Sequence, residues 1–189
     1  MPRRIPALET ERLIIRELTM DDLGSINKIL NDAFGAAVSM EERKRWLQWT
    51  VLGYEMFDML EQPHYGERAV VLRETGKIIG AVGIVPYLEP FNWVAAFRRA
   101  PNDPATAEVG LFWAIAPAHQ GQGFASEAAR ALVKYLFTHE KLGRVIATTG
   151  YENRPSQHVM QKLGMTIQGH EEPQQAGPSV VGVLENDTL

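Results

Sequence analysis

The feature that most constrains this chain is a change of hydrophobic period within one stretch, AEVGLFWAIAPAHQGQGFASEAARALVKYLF (107–137). An apolar, β-rich run breaks at Pro117 and passes Gly121 and Gly123. It then turns amphipathic, with Ala125, Ala128, Leu132 and Leu136 on one helical face. A strand therefore hands over to a helix through a turn with bare backbone. The first N–H groups of a helix have no intrahelical partner, and the helix dipole adds partial positive charge there. Glycines let a ligand reach those amides without meeting a Cβ. The turn reads as an anion site suited to a phosphate or diphosphate.

The remaining elements follow from period and punctuation. TERLIIREL (10–18) reads as a first strand. Thr19, with Asp21 and Asp22 behind it, starts a helix whose apolar positions are Leu23, Ile26, Ile29 and Leu30. Ser39 and Glu42 have capping-box spacing and open a second helix, with Trp46, Trp49, Met56 and Leu60 near the helical period. RAVVLRETGKIIGAVGIVPY reads as a hairpin turning at Gly76. Residues 87–106 hold three prolines and no clear period, and Phe91, Trp93 and Phe97 argue against plain disorder there. A strand (RVIATTGYEN), a short helix ending at Gly164 (RPSQHVMQKLG) and two closing strands (MTIQGHEE, SVVGVLEN) complete the chain. The order β–α–α–β–β–β–α–β–α–β–β predicts one α/β (α+β) domain over 1–189, a mixed sheet carrying helices on its faces.

Composition removes whole classes of function. With no cysteine among 189 residues, disulfides, thiolate metal sites and Cys-linked intermediates are excluded. A formal net charge of −4 gives no basic footprint for nucleic acid. No long apolar run suggests a leader or a membrane span, so a cytoplasmic protein without a membrane partner is expected. His64, His119, His139, His158 and His170 show no ligand spacing, and no metal is expected.

Three phosphate loops compete for the glycine turn. A P-loop needs Gly-Lys-Ser/Thr, which is absent here. A dinucleotide fingerprint needs a third glycine, where Ser126 stands, and an acidic residue at the end of the next strand, where RVIATT has threonine. The third fits: Gln120-Gly121-Gln122-Gly123-Phe124-Ala125 matches Q/R-x-x-G-x-G/A. That pattern resembles the acyl-CoA loop of the GNAT superfamily of N-acetyltransferases. ENRPSQHVMQKLGM, with Asn153, Ser156, Lys162, Gly164 and Met165, resembles a second segment of that superfamily. LETERLIIRELTMDDL resembles the opening of its RimJ/RimL-like branch, which acetylates protein N-termini and small amines. The resemblance runs over about residues 8–185.

The resemblance implies a mostly antiparallel sheet splayed at the cofactor site, and acetyl-CoA as co-substrate. By position, Trp113, Ala114 and Ile115 would meet pantetheine. Gln120, Gly121, Gln122, Gly123, Phe124, Ala125 and Ser126 would form the diphosphate loop, and Asn153 would contact the cofactor arm. From its residues alone, Asn153 also reads as a helix cap. The implied chemistry is direct attack of a neutral amine on the thioester. Glu108 is the candidate base, with a salt-bridge or strand-edge role as the alternative. Ser156 is the candidate partner of the departing sulfur, with a first-turn hydroxyl as the alternative. Many members of the superfamily carry tyrosine where this chain has Met160.

Trp46, Trp49, Tyr54, Met56 and Phe57, together with the 87–106 loop, suggest an aromatic acceptor wall or a dimer face, with core packing the favoured alternative for any single one of them. Arg98 and Arg99 could meet an acidic acceptor. The expected partner is an amine, either a small molecule or a protein N-terminus, and the expected state is a monomer or homodimer. The competing reading is a non-catalytic CoA-binding module on the same fold.

Overall fold

The computed structural model describes residues 4–88, 91, 93–97, 107–170 and 179–187. Eight strands are hydrogen-bonded in the order β1-β2-β3-β4-β5-β6-β8-β7. They are β1 (Leu8–Glu9), β2 (Leu13–Glu17), β3 (Gly66–Leu72), β4 (Ile78–Tyr87), β5 (Glu108–Ile115), β6 (Arg144–Thr149), β7 (Thr166–Gly169) and β8 (Val180–Glu185). The helices are α1 (Leu23–Phe34), α2 (Met40–Met59), α3 (Phe124–Thr138) and α4 (Arg154–Leu163). The architecture is the mixed sheet that the element order predicts, and it is mostly antiparallel and open, as the resemblance implies. Pairing is antiparallel between β1 and β2, β2 and β3, β3 and β4, β6 and β8, and β7 and β8. It is parallel between β5 and β6, where Gly110 faces Ile146.

The chain packs as two compact units, Met1–Ile84 with Phe112–Leu132, and Val85–Leu111 with Val133–Leu189. In the first unit, Ile26 and Leu30 of α1 and Leu47 of α2 pack on Ala69, Val71 and Ala81 of the sheet. Local signals set the helix ends. Ser39 accepts the Glu42 N–H, and the Glu42 carboxylate accepts the Ser39 N–H at 3.0 Å, a closed capping box. Thr19 precedes a 3₁₀ turn (Met20–Asp22) rather than α1 itself, and Asp22 accepts its N–H at 2.8 Å. The hairpin closes at Gly76, whose φ of 68° lies in the left-handed region that glycine tolerates.

The second unit has its own core, in which Phe91 and Val94 pack with Ile146, Val181 and Val183. α4 ends as its sequence predicts, at Gly164 with φ 84°. The Gln168 amide holds the segment around Trp93, donating to the Trp93 carbonyl at 2.7 Å and accepting the Ala95 N–H at 2.8 Å. Arg98 and Arg99 lie outside the described residues.

Two features were not marked in the sequence. A short strand, β1, precedes the first strand read from the sequence and pairs Leu8 with Ile15. Two residues are too few to show an alternation. In α2 the buried positions are Leu47, Thr50 and Tyr54, while Trp49 is 63% and Leu60 55% exposed. A helix that is apolar around much of its girth does not declare its inward face. Tyr54 sets the phase here, because its hydroxyl accepts the buried Leu18 N–H at 3.2 Å and donates to the Glu67 carbonyl at 2.5 Å.

Candidate functional site

β5 ends at Ile115, and a 3₁₀ turn (Pro117–His119) leads to the glycines. Gly121 and Gly123 have φ of 74° and 84°, so this turn needs glycine for its backbone as well as for access. Two left-handed residues two apart reverse the chain tightly and feed it into α3 at Phe124. The Glu127 N–H is bonded to the Gly123 carbonyl at 3.0 Å. The N–H groups just before it belong to the helix's open first turn. An open helix start of this kind, reached through two glycines, is suited to an anion.

The other predicted loop residues divide between support and lining. The Gln120 side chain donates to the Ile115 carbonyl at 2.8 Å, tying the turn back to the end of β5. Phe124 and Ser126 are buried beneath the turn, whereas Gly121 and Gln122 are exposed. Ala114 and Ile115 are buried and Trp113 half-buried. β5 is held close to β4 there: the Ala116 N–H reaches the Ile79 carbonyl at 2.8 Å, and a Cβ on Gly80 would lie 2.3 Å from the Ala114 carbonyl oxygen.

A residue that the sequence reading missed reaches this turn. Arg12 donates from Nη1 to the Gln122 carbonyl at 3.2 Å and from Nε to the Glu127 carboxylate at 2.7 Å. Its guanidinium carbon lies 4.4 Å from the centre of the Phe124 ring. Thr10 completes the contact, its hydroxyl donating to Glu127 at 2.5 Å. Burial pushes the Glu127 carboxyl up, but the hydrogen bonds from Thr10 and Arg12 outweigh it and leave it below the ordinary carboxylate value. The only signal in the sequence was the Thr-Glu-Arg turn ahead of the first long strand.

The second unit carries the remaining candidates. Glu108 opens β5, is 5% exposed, and forms a two-pronged ion pair with Arg144, from Nε to Oε2 at 2.8 Å and from Nη2 to Oε1 at 2.5 Å. That bond and the carboxylate's charge raise Arg144 above its usual value. The Arg144 guanidinium also lies 4.4 Å from the centre of the Phe97 ring. Asn153 caps α4, its Oδ1 accepting the Ser156 N–H at 3.2 Å. Met160 is fully buried against Gly182 of β8, a packing position. Among the described residues, no group of three or more His, Cys, Asp and Glu is placed to hold a metal ion. No described helix is long and apolar enough to cross a membrane.

The mixed sheet of this order is that of acetyltransferases of known structure, similar at TM-score 0.69 to one from Agrobacterium tumefaciens at 25% identity, covering 96% of this chain and 95% of that one. The chain belongs to the acetyltransferase (GNAT) domain family, whose model matches residues 12–166, and is an acetyl-CoA-dependent N-acetyltransferase. It is 30% identical over 166 residues to the uncharacterized N-acetyltransferase YoaA of Bacillus subtilis, covering 87% of this chain and 85% of that one. It is 27% identical over 165 residues to the spermidine N(1)-acetyltransferase of Vibrio cholerae, covering 84% and 82%. Its fold is similar to that of RimL, a ribosomal L7/L12 α-N-protein acetyltransferase solved with coenzyme A, at TM-score 0.62, 16% identity and coverage of 92% and 93%.

Proposed function

We propose that this enzyme acetylates a primary amine, a protein N-terminus or a small-molecule amine, by direct attack on acetyl-CoA in a ternary complex, as a RimJ/RimL-like member of its family. The observation that carries the reading is the pair of left-handed glycines presenting the open first turn of α3. In this reading the amides from Gly121 to Ser126 hold the diphosphate, residues 113–115 run beside the pantetheine arm, and Asn153 contacts that arm while capping α4. The amine nitrogen forms the new bond to the acetyl carbon, the carbon–sulfur bond breaks, and the thiolate leaves with the electron pair. Ser156 donates a hydrogen bond to that sulfur.

Of the two roles open to Glu108, the ion pair with Arg144 supports that of structural partner. An α-amino group, with a pKa near 8, reaches its neutral form with little help, unlike a lysine side chain near 10.4. Bulk water or buffer then takes the proton that the amine loses on acylation. This favours α-amines and other weakly basic amines as acceptors. The enzyme is proposed to act in the cytoplasm without nucleic acid or membrane, as a monomer or homodimer.

The test is an acceptor screen with acetyl-CoA, read by release of free thiol and by mass spectrometry of the products. The panel spans N-terminal peptides, polyamines and small monoamines. A product 42 Da heavier than one acceptor class, roughly the mass of an acetyl group replacing hydrogen, is expected, with weakly basic amines favoured over lysine side chains near pKa 10.4. Coenzyme A binding with no turnover on any acceptor would return the chain to the non-catalytic reading.

A further inference from the structure

We infer that Arg12 is a positioning residue for the acetyl-CoA diphosphate: it cancels the charge of Glu127 beside the glycine turn and holds the turn's carbonyl side fixed. The inference rests on the diphosphate reading of that turn. Glu127 lies in the first turn of α3, where a carboxylate ordinarily gains from the helix dipole. In a helix that must receive a diphosphate the same charge works against the ligand, since it is an anion close to the amides that bind one. Its carboxyl sits below the ordinary value, so it is ionised at neutral pH. Left alone, its charge would oppose an anion at the same helix end.

Arg12 answers that charge and shapes the turn at once. Its Nε reaches Glu127 Oε2 at 2.7 Å and its backbone N–H reaches Oε1 at 3.1 Å. Nη2 lies 2.5 Å from the same carboxylate. The remaining fork nitrogen, Nη1, takes the Gln122 carbonyl at 3.2 Å. Gln122 lies between the two left-handed glycines, so fixing its carbonyl fixes the peptide plane that also carries the Gly123 N–H. The guanidinium covers the Phe124 ring, and its Nη2 would lie 3.6 Å from a Cβ on Gly123. One planar side chain therefore touches the last loop residues and the first helical turn together. A lysine ammonium, a point charge, cannot make the same set of contacts.

Arg12 is itself anchored. The Arg73 N–H donates to the Arg12 carbonyl at 3.0 Å, and Arg73 Nη1 donates to the Thr10 carbonyl at 2.8 Å, so the turn presenting the side chain is fixed on β3's end. The hydrogen bond of Arg12 to the turn goes to the Gln122 carbonyl and takes no amide N–H of the loop.

The experiment is calorimetric titration of coenzyme A into wild type, Arg12→Ala, and Arg12→Ala/Glu127→Gln, with folding checked by circular dichroism. Arg12→Ala is expected to weaken Kd about tenfold, about 1.4 kcal/mol. Removing the stranded carboxylate should bring the double variant back to within about threefold of wild type, because repulsion is the larger part of the loss. Wild-type affinity in Arg12→Ala overturns the inference, as does a double variant no tighter than the single one. No heat with wild type would instead sink the diphosphate reading itself. Should Arg12→Ala fail to fold, Arg12→Lys serves. It is expected to raise KM for acetyl-CoA at least about threefold while leaving kcat within about twofold, and an unchanged KM overturns the role.

Discussion

Glu108 and Arg144 meet through both oxygens and two guanidinium nitrogens, at 2.8 and 2.5 Å, with the carboxylate side chain 4% and the arginine 26% exposed. A pair this buried on one side behaves asymmetrically. Removing the arginine takes two charge-assisted hydrogen bonds from a buried carboxyl, whereas replacing the carboxylate by an amide keeps a hydrogen bond. Arg144→Met should cost about 2–3 kcal/mol in urea denaturation, below the ~3–5 kcal/mol of a fully buried pair because the arginine is partly wet. Glu108→Gln should cost less and hold kcat/KM for an α-amine acceptor within about threefold, whereas loss of a general base would cost about 10²–10⁴-fold. A fall of that size, with stability unchanged, would restore the base role to Glu108.

Gly121 offers a cleaner test of the turn than most glycines. A Cβ there would meet nothing within 4 Å, so an alanine is penalised only by its φ of 74°. The strain is about 1–2 kcal/mol for an L-residue in the left-handed region, and it is relieved by rotating the adjacent peptides. Those peptides carry the proposed diphosphate amides. Gly121→Ala is expected to lower the unfolding free energy by about 1 kcal/mol and to weaken coenzyme A about tenfold. Unchanged affinity alongside the lost stability would detach the turn from the cofactor.

The sequence made visible what depends on neighbours along the chain. Ser39 with Glu42, Gly76 and Gly164 each act within a few residues, and each took the predicted place. The glycines at 121 and 123 were also legible, although their backbone requirement came only with the φ values. The partners of distant contacts were not legible, although a salt bridge was one of the roles open to Glu108. Arg12 meets Glu127 across 115 positions, and Arg144 meets Glu108 across 36. The inward face of α2 was not legible for a related reason. Its phase is set by where Tyr54 finds the Leu18 N–H, not by which side chains are most apolar.

Gly80 tests how closely β4 and β5 must approach beside the proposed pantetheine strand. Its Cβ would lie 2.3 Å from the Ala114 carbonyl oxygen and 2.6 Å from Ile115 Cδ1. The side chain at 115 can turn away, but the backbone oxygen cannot without the strand moving. Gly80→Ala should therefore cost about 2–3 kcal/mol, at the upper end of overpacking in a filled core, read from the denaturation midpoint. A loss under about 0.5 kcal/mol, the size of an ordinary surface change, would show the two strands to be more loosely held than this geometry requires.

The acid limb of stability should carry the signature of Asp22. Burial pushes its carboxyl up, but Arg16, bound at 2.7 and 3.0 Å, and the Thr19 N–H at 2.8 Å outweigh burial and hold it below the ordinary carboxylate value. A carboxyl depressed in the folded state releases its proton more readily there than in the unfolded chain. Its contribution is therefore complete above the unfolded pKa, near 3.9, and disappears as pH falls through the lower folded value. Asp22→Asn removes the charge at every pH. The two proteins should differ in unfolding free energy by a constant amount from about pH 5 to 7, and the gap should narrow steadily as pH falls below about 4. Urea titrations at intervals across that range measure it. A gap that stays constant down to pH 2 would mean that shape or the neutral hydrogen bonds, rather than the ionised pair with Arg16, hold the start of α1 in place.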